Sequence, residues 1–241
     1  MNIKKHIPNI ITLLNLFCGC IAVVFVAEFR FDYAFIFVAF GIFLDFFDGF
    51  FARLFKVSSP LGLQLDSLAD MVTSGVVPGF VMFQMFQGFE YDPEIISIYS
   101  AFGFLITLGA CYRLANFNID TRQTDSFIGL PTPANALFIL SLPLIFKDYE
   151  YELINNLLSN RWVLVAITLM SAYIMNAEIP LFSLKIKSFN LKDNLLQIVF
   201  LTISVALIGF LQFLGVAIVI LFYVLLSVLM NIFQKKQESN F

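Results

Sequence analysis

The sequence predicts an all-α integral membrane protein of about eight transmembrane helices, and three observations predict it. The 241 residues are 60% hydrophobic and only 13% charged, with a mean hydropathy of +0.89, whereas a soluble domain carries roughly 25% charged residues. Apolar runs recur along the whole length and no polar stretch could form a separate soluble domain, so residues 1–241 are read as one membrane-embedded domain. Four carboxylates between Asp45 and Asp70 interrupt this pattern. Ionisable groups at membrane depth are expensive enough to mark a functional site by default.

A spanning helix needs about 20 mostly apolar residues, fewer where the bilayer thins. The first run, 10–27, follows Lys4, Lys5 and His6 and lacks a convincing cleavage site, so it is read as a retained span. Further spans are expected at 33–55, 62–86, 96–117, 133–147 and 161–177, the fifth being short. The mostly apolar stretch of 39 residues from Leu195 to Phe233 exceeds one crossing. Gly209 and Gly215 mark the turn that divides it into 194–210 and 213–233.

Loop charge orients these spans. With the N-terminus inside, the inner segments collect Lys4, Lys5, Arg53, Lys56, Arg113, Arg122, Lys185, Lys187, Lys192, Lys235 and Lys236, and the outer ones only Arg30, Lys147 and Arg161. That bias places both termini and the carboxylate cluster on the cytoplasmic side, of a bacterial inner membrane in the simplest reading. The basic fringe also suits anionic headgroups. A net charge of -3 gives no reason to expect nucleic acid. Cys18, Cys20 and Cys111 lie in apolar runs without zinc-type spacing and read as small hydrophobes. The single histidine, His6, supports no nucleophile–histidine arrangement.

The cluster reads D-x-x-D-G-x-x-A-R, eight residues, then G-x-x-x-D-x-x-x-D, from Asp45, Asp48, Gly49, Ala52 and Arg53 to Gly62, Asp66 and Asp70. Asp45 and Asp48 are three apart and Asp66 and Asp70 four apart, so each pair shares a helix face. Ser58, Ser59 and Pro60 supply the turn between, with a new helix starting at Leu61 or Gly62. Antiparallel packing of the two helices then converges four carboxylates, which need cations. Hard oxygen ligands favour magnesium or manganese, and two such ions suit phosphoryl transfer. Gly49 and Ala52 clear a surface for close approach of a ligand, and Arg53 offers a forked donor to phosphate; small residues also recur at plain helix–helix contacts.

At all eight fixed positions, and with the usual spacing, this pattern resembles the signature of the CDP-alcohol phosphatidyltransferase family. The resemblance implies a membrane fold of six to eight helices with a polar cavity open to the cytoplasm, in which a small alcohol displaces CMP from a CDP-linked lipid. It implies that Asp45, Asp48, Asp66 and Asp70 hold two Mg2+ or Mn2+ ions, with Asp70 also the general base. Gly49, Ala52, Arg53 and Gly62 would line the nucleotide and diphosphate pocket. A homodimer is also implied, although the sequence shows no identifiable interface.

Three further segments bear on the acceptor. Pro8-Asn9-x-x-Thr12-x-x-Asn15 places amides and a hydroxyl on one face; Asn9 and Thr12 either cap the first helix or, by resemblance to the phosphatidylserine synthase branch, wall the nucleotide site with Asn15. The run from Asp66 to Gly79, and the pair Tyr112–Asn118 and Phe127–Ala134, resemble the same branch. Arg113 is either a topology anchor or a guanidinium for the serine carboxylate, and Arg122 has the same two readings. Asn116 stands where that branch often carries a second Arg. The resemblance covers most of 8–136, while the helices of 137–233 are generic. The expected reaction is therefore transfer from CDP-diacylglycerol to the L-serine hydroxyl, giving phosphatidylserine and CMP. Glycerol 3-phosphate or inositol phosphate as acceptor is the nearer rival, and a cation transporter with a carboxylate site is the rival from another class.

Overall fold

The computed structural model describes residues 6–57, 59–88, 98–120, 128–148, 152–182 and 194–238. Among these the regular structure is helical, apart from one isolated bridge between Ile128 and Pro180. Helix α1 spans Ile7–Ala27 and α2 Phe31–Phe55, joined by a tight turn in which Phe29 takes a positive φ of 56°. Helix α3 runs Pro60–Gln87, α4 Ile98–Phe117 with a 3-10 first half, and α5 Thr132–Asp148. A short α6, Glu152–Leu158, precedes α7, Arg161–Asn176, and α8 covers Leu195–Glu238.

These bounds follow the apolar runs closely. Among the described residues five helices are long and apolar enough to cross a membrane, six if α6 and α7 form one bent span; that count takes the long Leu195–Phe233 stretch as one. Its helical backbone fails only at Gln212 (φ 48°, ψ -120°), between the two expected turn glycines. The glycines are not equivalent: a Cβ on Gly215 would collide with the returning Leu207 carbonyl, whereas one on Gly209 would meet nothing within 4 Å. Helix α6 was not expected, because seven residues fall far below the length of a span. It meets α7 at 71°.

Helix α3 is the axis of the bundle: 61% of its most apolar window is buried, against 22% for α2 and 33% for α1. Ala22, Val26, Val38, Val77, Val81, Met82, Ile106 and Ile139 form the tight core around it. Outward, Phe40, Phe43, Phe46 and Phe50 give α2 an exposed aromatic ridge, which is stable only against lipid. Directly after Asp70 the helix widens into a π-helical turn, Met71–Val76. Pro78 has no N–H to offer the carbonyl one turn back, and Thr107 of α4 donates from outside to the Gly75 carbonyl at 2.9 Å. Such turns often sit at functional sites.

Candidate active site

Helix α2 ends where Lys56 turns left-handed (φ 54°, ψ 44°), and α3 restarts at Pro60, just before the expected start at Leu61 or Gly62. Ser59 caps it, accepting the Gly62 N–H at 3.0 Å. Helix α2 and the first turns of α3 each pack on α1 rather than closely on one another, and α1 brings the two to one site. One ligand oxygen each from Asp45, Asp48 and Asp66 consequently lies within 4.8 Å of the others. Three carboxylates so close repel one another strongly unless a cation lies between them. Oδ1 of Asp45 is buried with no hydrogen-bond partner among the described residues, which leaves it available to a cation. The donor set is all oxygen and fits a hard divalent ion.

Asp70 is placed differently. One turn further along α3, it is almost fully buried and outside the close group of three. Asn15 Nδ2 donates to its Oδ1 at 3.3 Å, which leaves Oδ2 without a hydrogen bond among the described residues. Thr12 lies 2.5 Å from Oδ2 of Asp48 and donates to it. Neither Asn9 nor Thr12 caps α1: that helix begins at Ile7, its cap residue His6 makes no side-chain bond, and both residues lie inside the helix. The capping expectation is thus overturned. Sequence placed Asn15 at the nucleotide wall; the structure places it behind Asp70, where its backbone carbonyl also accepts from Thr73 at 3.2 Å.

Close packing concentrates behind the site rather than at Gly49. A Cβ on Gly41 would sit 2.7 Å from Asn15 Oδ1, and one on Gly19 2.5 Å from Thr73 Oγ1. At Gly49 it would meet only the Arg53 guanidinium, at 3.8 Å. Gly49 therefore borders open space, with Ala52 half-buried and Arg53 exposed beside it. Gly62 faces the side chain of Asn9, whose Oδ1 lies 3.3 Å from a Cβ built there.

Arg113 is buried near the end of α4. Its Nη1 donates to the carbonyls of Ile128 and Met175, each at 2.7 Å, so the residue braces the segment before α5 against the end of α7. Gly129 belongs to the same knot: its φ is 74°, and a Cβ would lie 2.5 Å from the Met175 carbonyl. A cavity of about 90 Å³ beside Arg113 is lined also by Asn116, Asp120 and Glu178. Arg122 lies outside the described residues. Sequence reasoning assigned no role to Ser67 or Asn118, yet Asn118 Nδ2 donates to Ser67 Oγ at 2.9 Å. That bond ties α4 to the residue following Asp66; the only signal for it was Asn118 at the end of an apolar run.

An oxygen-ligand cluster at one end of a membrane-embedded helical bundle defines an integral membrane protein with a divalent-metal site. The family model for CDP-alcohol phosphatidyltransferases matches residues 5–178, and the chain belongs to that family. It is similar to the CDP-diacylglycerol–serine O-phosphatidyltransferase of Helicobacter pylori, with 30% identity over 198 residues, 81% of this chain and 80% of the relative. The Bacillus subtilis protein of that name is 34% identical over 145 residues, 59% of this chain and 78% of its own. The one from Methanocaldococcus jannaschii is 30% identical over 165 residues, 68% and 71% of the respective chains.

Proposed function

We propose that the protein transfers the phosphatidyl group of CDP-diacylglycerol to L-serine, releasing CMP. The observation that carries this reading is the convergence of Asp45, Asp48 and Asp66 in a chain whose relatives bear that activity in their names. Asp45, Asp48 and Asp66, with Asp70 beside them, would hold two ions, Mg2+ or Mn2+. When bound, these would neutralise the diphosphate and the charge that develops on it. Thr12 holds Asp48 in a fixed rotamer. Asn15 fixes one oxygen of Asp70 and leaves the other to take the serine hydroxyl proton. As that proton moves, the serine oxygen bonds to the lipid-side phosphorus and the bond from that phosphorus to the CMP oxygen breaks, so CMP leaves with the electron pair. The rate advantage comes from positioning, charge neutralisation and the base.

The open surface at Gly49 and Ala52, with Arg53 at its edge, would take the nucleotide and diphosphate, and Asn9 and Gly62 its far side. The small cavity at Arg113 supports a serine site: its walls offer both signs of charge, and Nη2 and Nε of Arg113 make no hydrogen bond among the described residues. Arg122 is assigned there by sequence alone. We assign the chain one domain, eight spans with α8 crossing twice, both termini and the site facing the cytoplasm of a bacterial inner membrane, and a homodimer. The test is CMP release by purified protein with CDP-diacylglycerol and manganese, comparing serine, glycerol 3-phosphate and inositol phosphate. Release stimulated by serine alone and lost with a chelator is expected. Stimulation by another alcohol overturns the acceptor, and no release by folded protein overturns the enzyme reading in favour of transport.

A further inference from the structure

Beyond Gln212, α8 carries three polar side chains spaced four residues apart, Tyr223, Ser227 and Asn231. That spacing puts them on one stripe of the helix, rising about 6 Å per step. All three bond to the backbone of the irregular segment 177–182, which follows α7. Asn231 Nδ2 donates to the Pro180 carbonyl at 2.6 Å, and the Tyr223 hydroxyl to the Phe182 carbonyl at 3.0 Å. Ser227 Oγ, which itself donates to the Tyr223 carbonyl at 2.8 Å, accepts the Phe182 N–H at 3.3 Å. The same segment holds the turn before α5: the Gly129 N–H donates to the Ile179 carbonyl at 2.9 Å, and Ile128 bridges Pro180. It is thus a strap between α8 and the Arg113 knot. Both carbonyls that receive Arg113 Nη1 adjoin it, Ile128 across the bridge and Met175 in the last turn of α7.

We propose that Tyr223, Ser227 and Asn231 are positioning residues for the acceptor alcohol, setting through segment 177–182 where the Arg113 guanidinium stands. The inference rests on the serine site placed at Arg113 above. A helix satisfies its own backbone and can be held by apolar contact alone, whereas a segment without regular structure needs outside partners for its N–H and C=O groups. These three side chains supply such partners, so they fix the strap in register rather than merely pressing on it. The carboxylates stand on α2 and α3, which meet on α1. Loosening the strap therefore weakens acceptor binding and leaves the reaction centre in place, which raises KM for the acceptor without lowering kcat. The family match ends at residue 178, so all three residues lie beyond it.

The test is steady-state CMP release by the full chain in detergent micelles, with serine and CDP-diacylglycerol varied in turn, alongside hydrogen exchange of the peptide that carries Gly129 and Leu130. Tyr223→Phe and Asn231→Ala should each raise the serine KM about fivefold, as loss of one buried hydrogen bond does, and the double variant further. In all of them kcat and the KM for CDP-diacylglycerol should stay within about twofold, while the Gly129 amide exchanges faster. Ser227→Thr, which keeps the hydroxyl, should match wild type, as should Ser204→Ala in the first arm of α8. Should the double variant fail to fold, Tyr223→Phe alone carries the test, since it removes one oxygen and keeps the ring. Faster exchange with an unchanged serine KM overturns the inference, because the strap is then held without acting on the acceptor. So does a parallel change in kcat and both KM values, which marks a general loss of structure. Wild type that ignores serine overturns the acceptor reading and this inference with it, and shows itself before any variant is compared.

Discussion

In the α1–α3 bundle the hydroxyls and amides reach across helices: Thr12, which also donates back to the Pro8 carbonyl at 3.1 Å, to Asp48, Asn15 to Asp70, and Thr73 to the Asn15 carbonyl. In the first arm of α8, Thr202 and Ser204 donate only back to the carbonyls of Ile198 and Phe200, four residues earlier and at 2.8 Å each, among the described residues. Both patterns satisfy polar groups where water is absent. Only the first needs a second helix in register, so it fixes side chains relative to one another, which a reaction centre requires. Glycines divide in the same way. Gly41 is required by Asn15 and Thr73 pressing against it, while a Cβ on Gly209 would meet nothing within 4 Å.

Breaking the contrast starts with the carboxylates. Asp45→Asn or Asp66→Asn should lower serine-dependent CMP release more than about a hundredfold, since each removes a charged ligand where even outer-shell changes cost 10- to 100-fold. Asp70→Asn should lower turnover by about 10² to 10⁴ while CDP-diacylglycerol still binds, which equilibrium binding of labelled lipid checks. Retained turnover there removes Asp70 as the base. Thr12→Val and Asn118→Ala each take away one interhelical bond that orients an aspartate or its neighbour. Both should cost about tenfold in turnover with little change in thermal unfolding. Smallest is the stability contrast: Gly41→Ala should destabilise by about 1–3 kcal/mol through overpacking, whereas Gly209→Ala and Ser204→Ala should stay within about 0.5 kcal/mol, read by thermal unfolding in detergent.

Helix positions were legible because lipid imposes a length and an apolar composition on every span; α1, α2 and α3 begin two or three residues before their expected starts. The Asp45–Asp66 convergence was legible because helical spacing and a Ser-Pro turn keep the two aspartate faces near each other in sequence; that both helices meet on α1 was not. What escaped depends on contacts distant in sequence. That Asn15 backs Asp70, that Asn118 reaches Ser67, and that Arg113 braces two carbonyls all follow from which helices neighbour which, and hydropathy carries no such information. Helix α6 escaped for another reason, since a seven-residue helix has neither the length nor the composition of a span. The π-helical turn after Asp70 left only Pro78 and a run of small residues as its trace.

The most direct test of the central claim, that the aspartates of α2 and α3 form a divalent-metal centre for phosphatidyl transfer, is Mn2+ binding followed by electron paramagnetic resonance on the full chain. Wild type, Asp66→Asn and Ser204→Ala would be measured alongside serine-dependent CMP release. The account predicts that wild type and Ser204→Ala bind Mn2+ and release CMP alike, and that Asp66→Asn loses both together. Undiminished Mn2+ binding and CMP release in folded Asp66→Asn protein would contradict it.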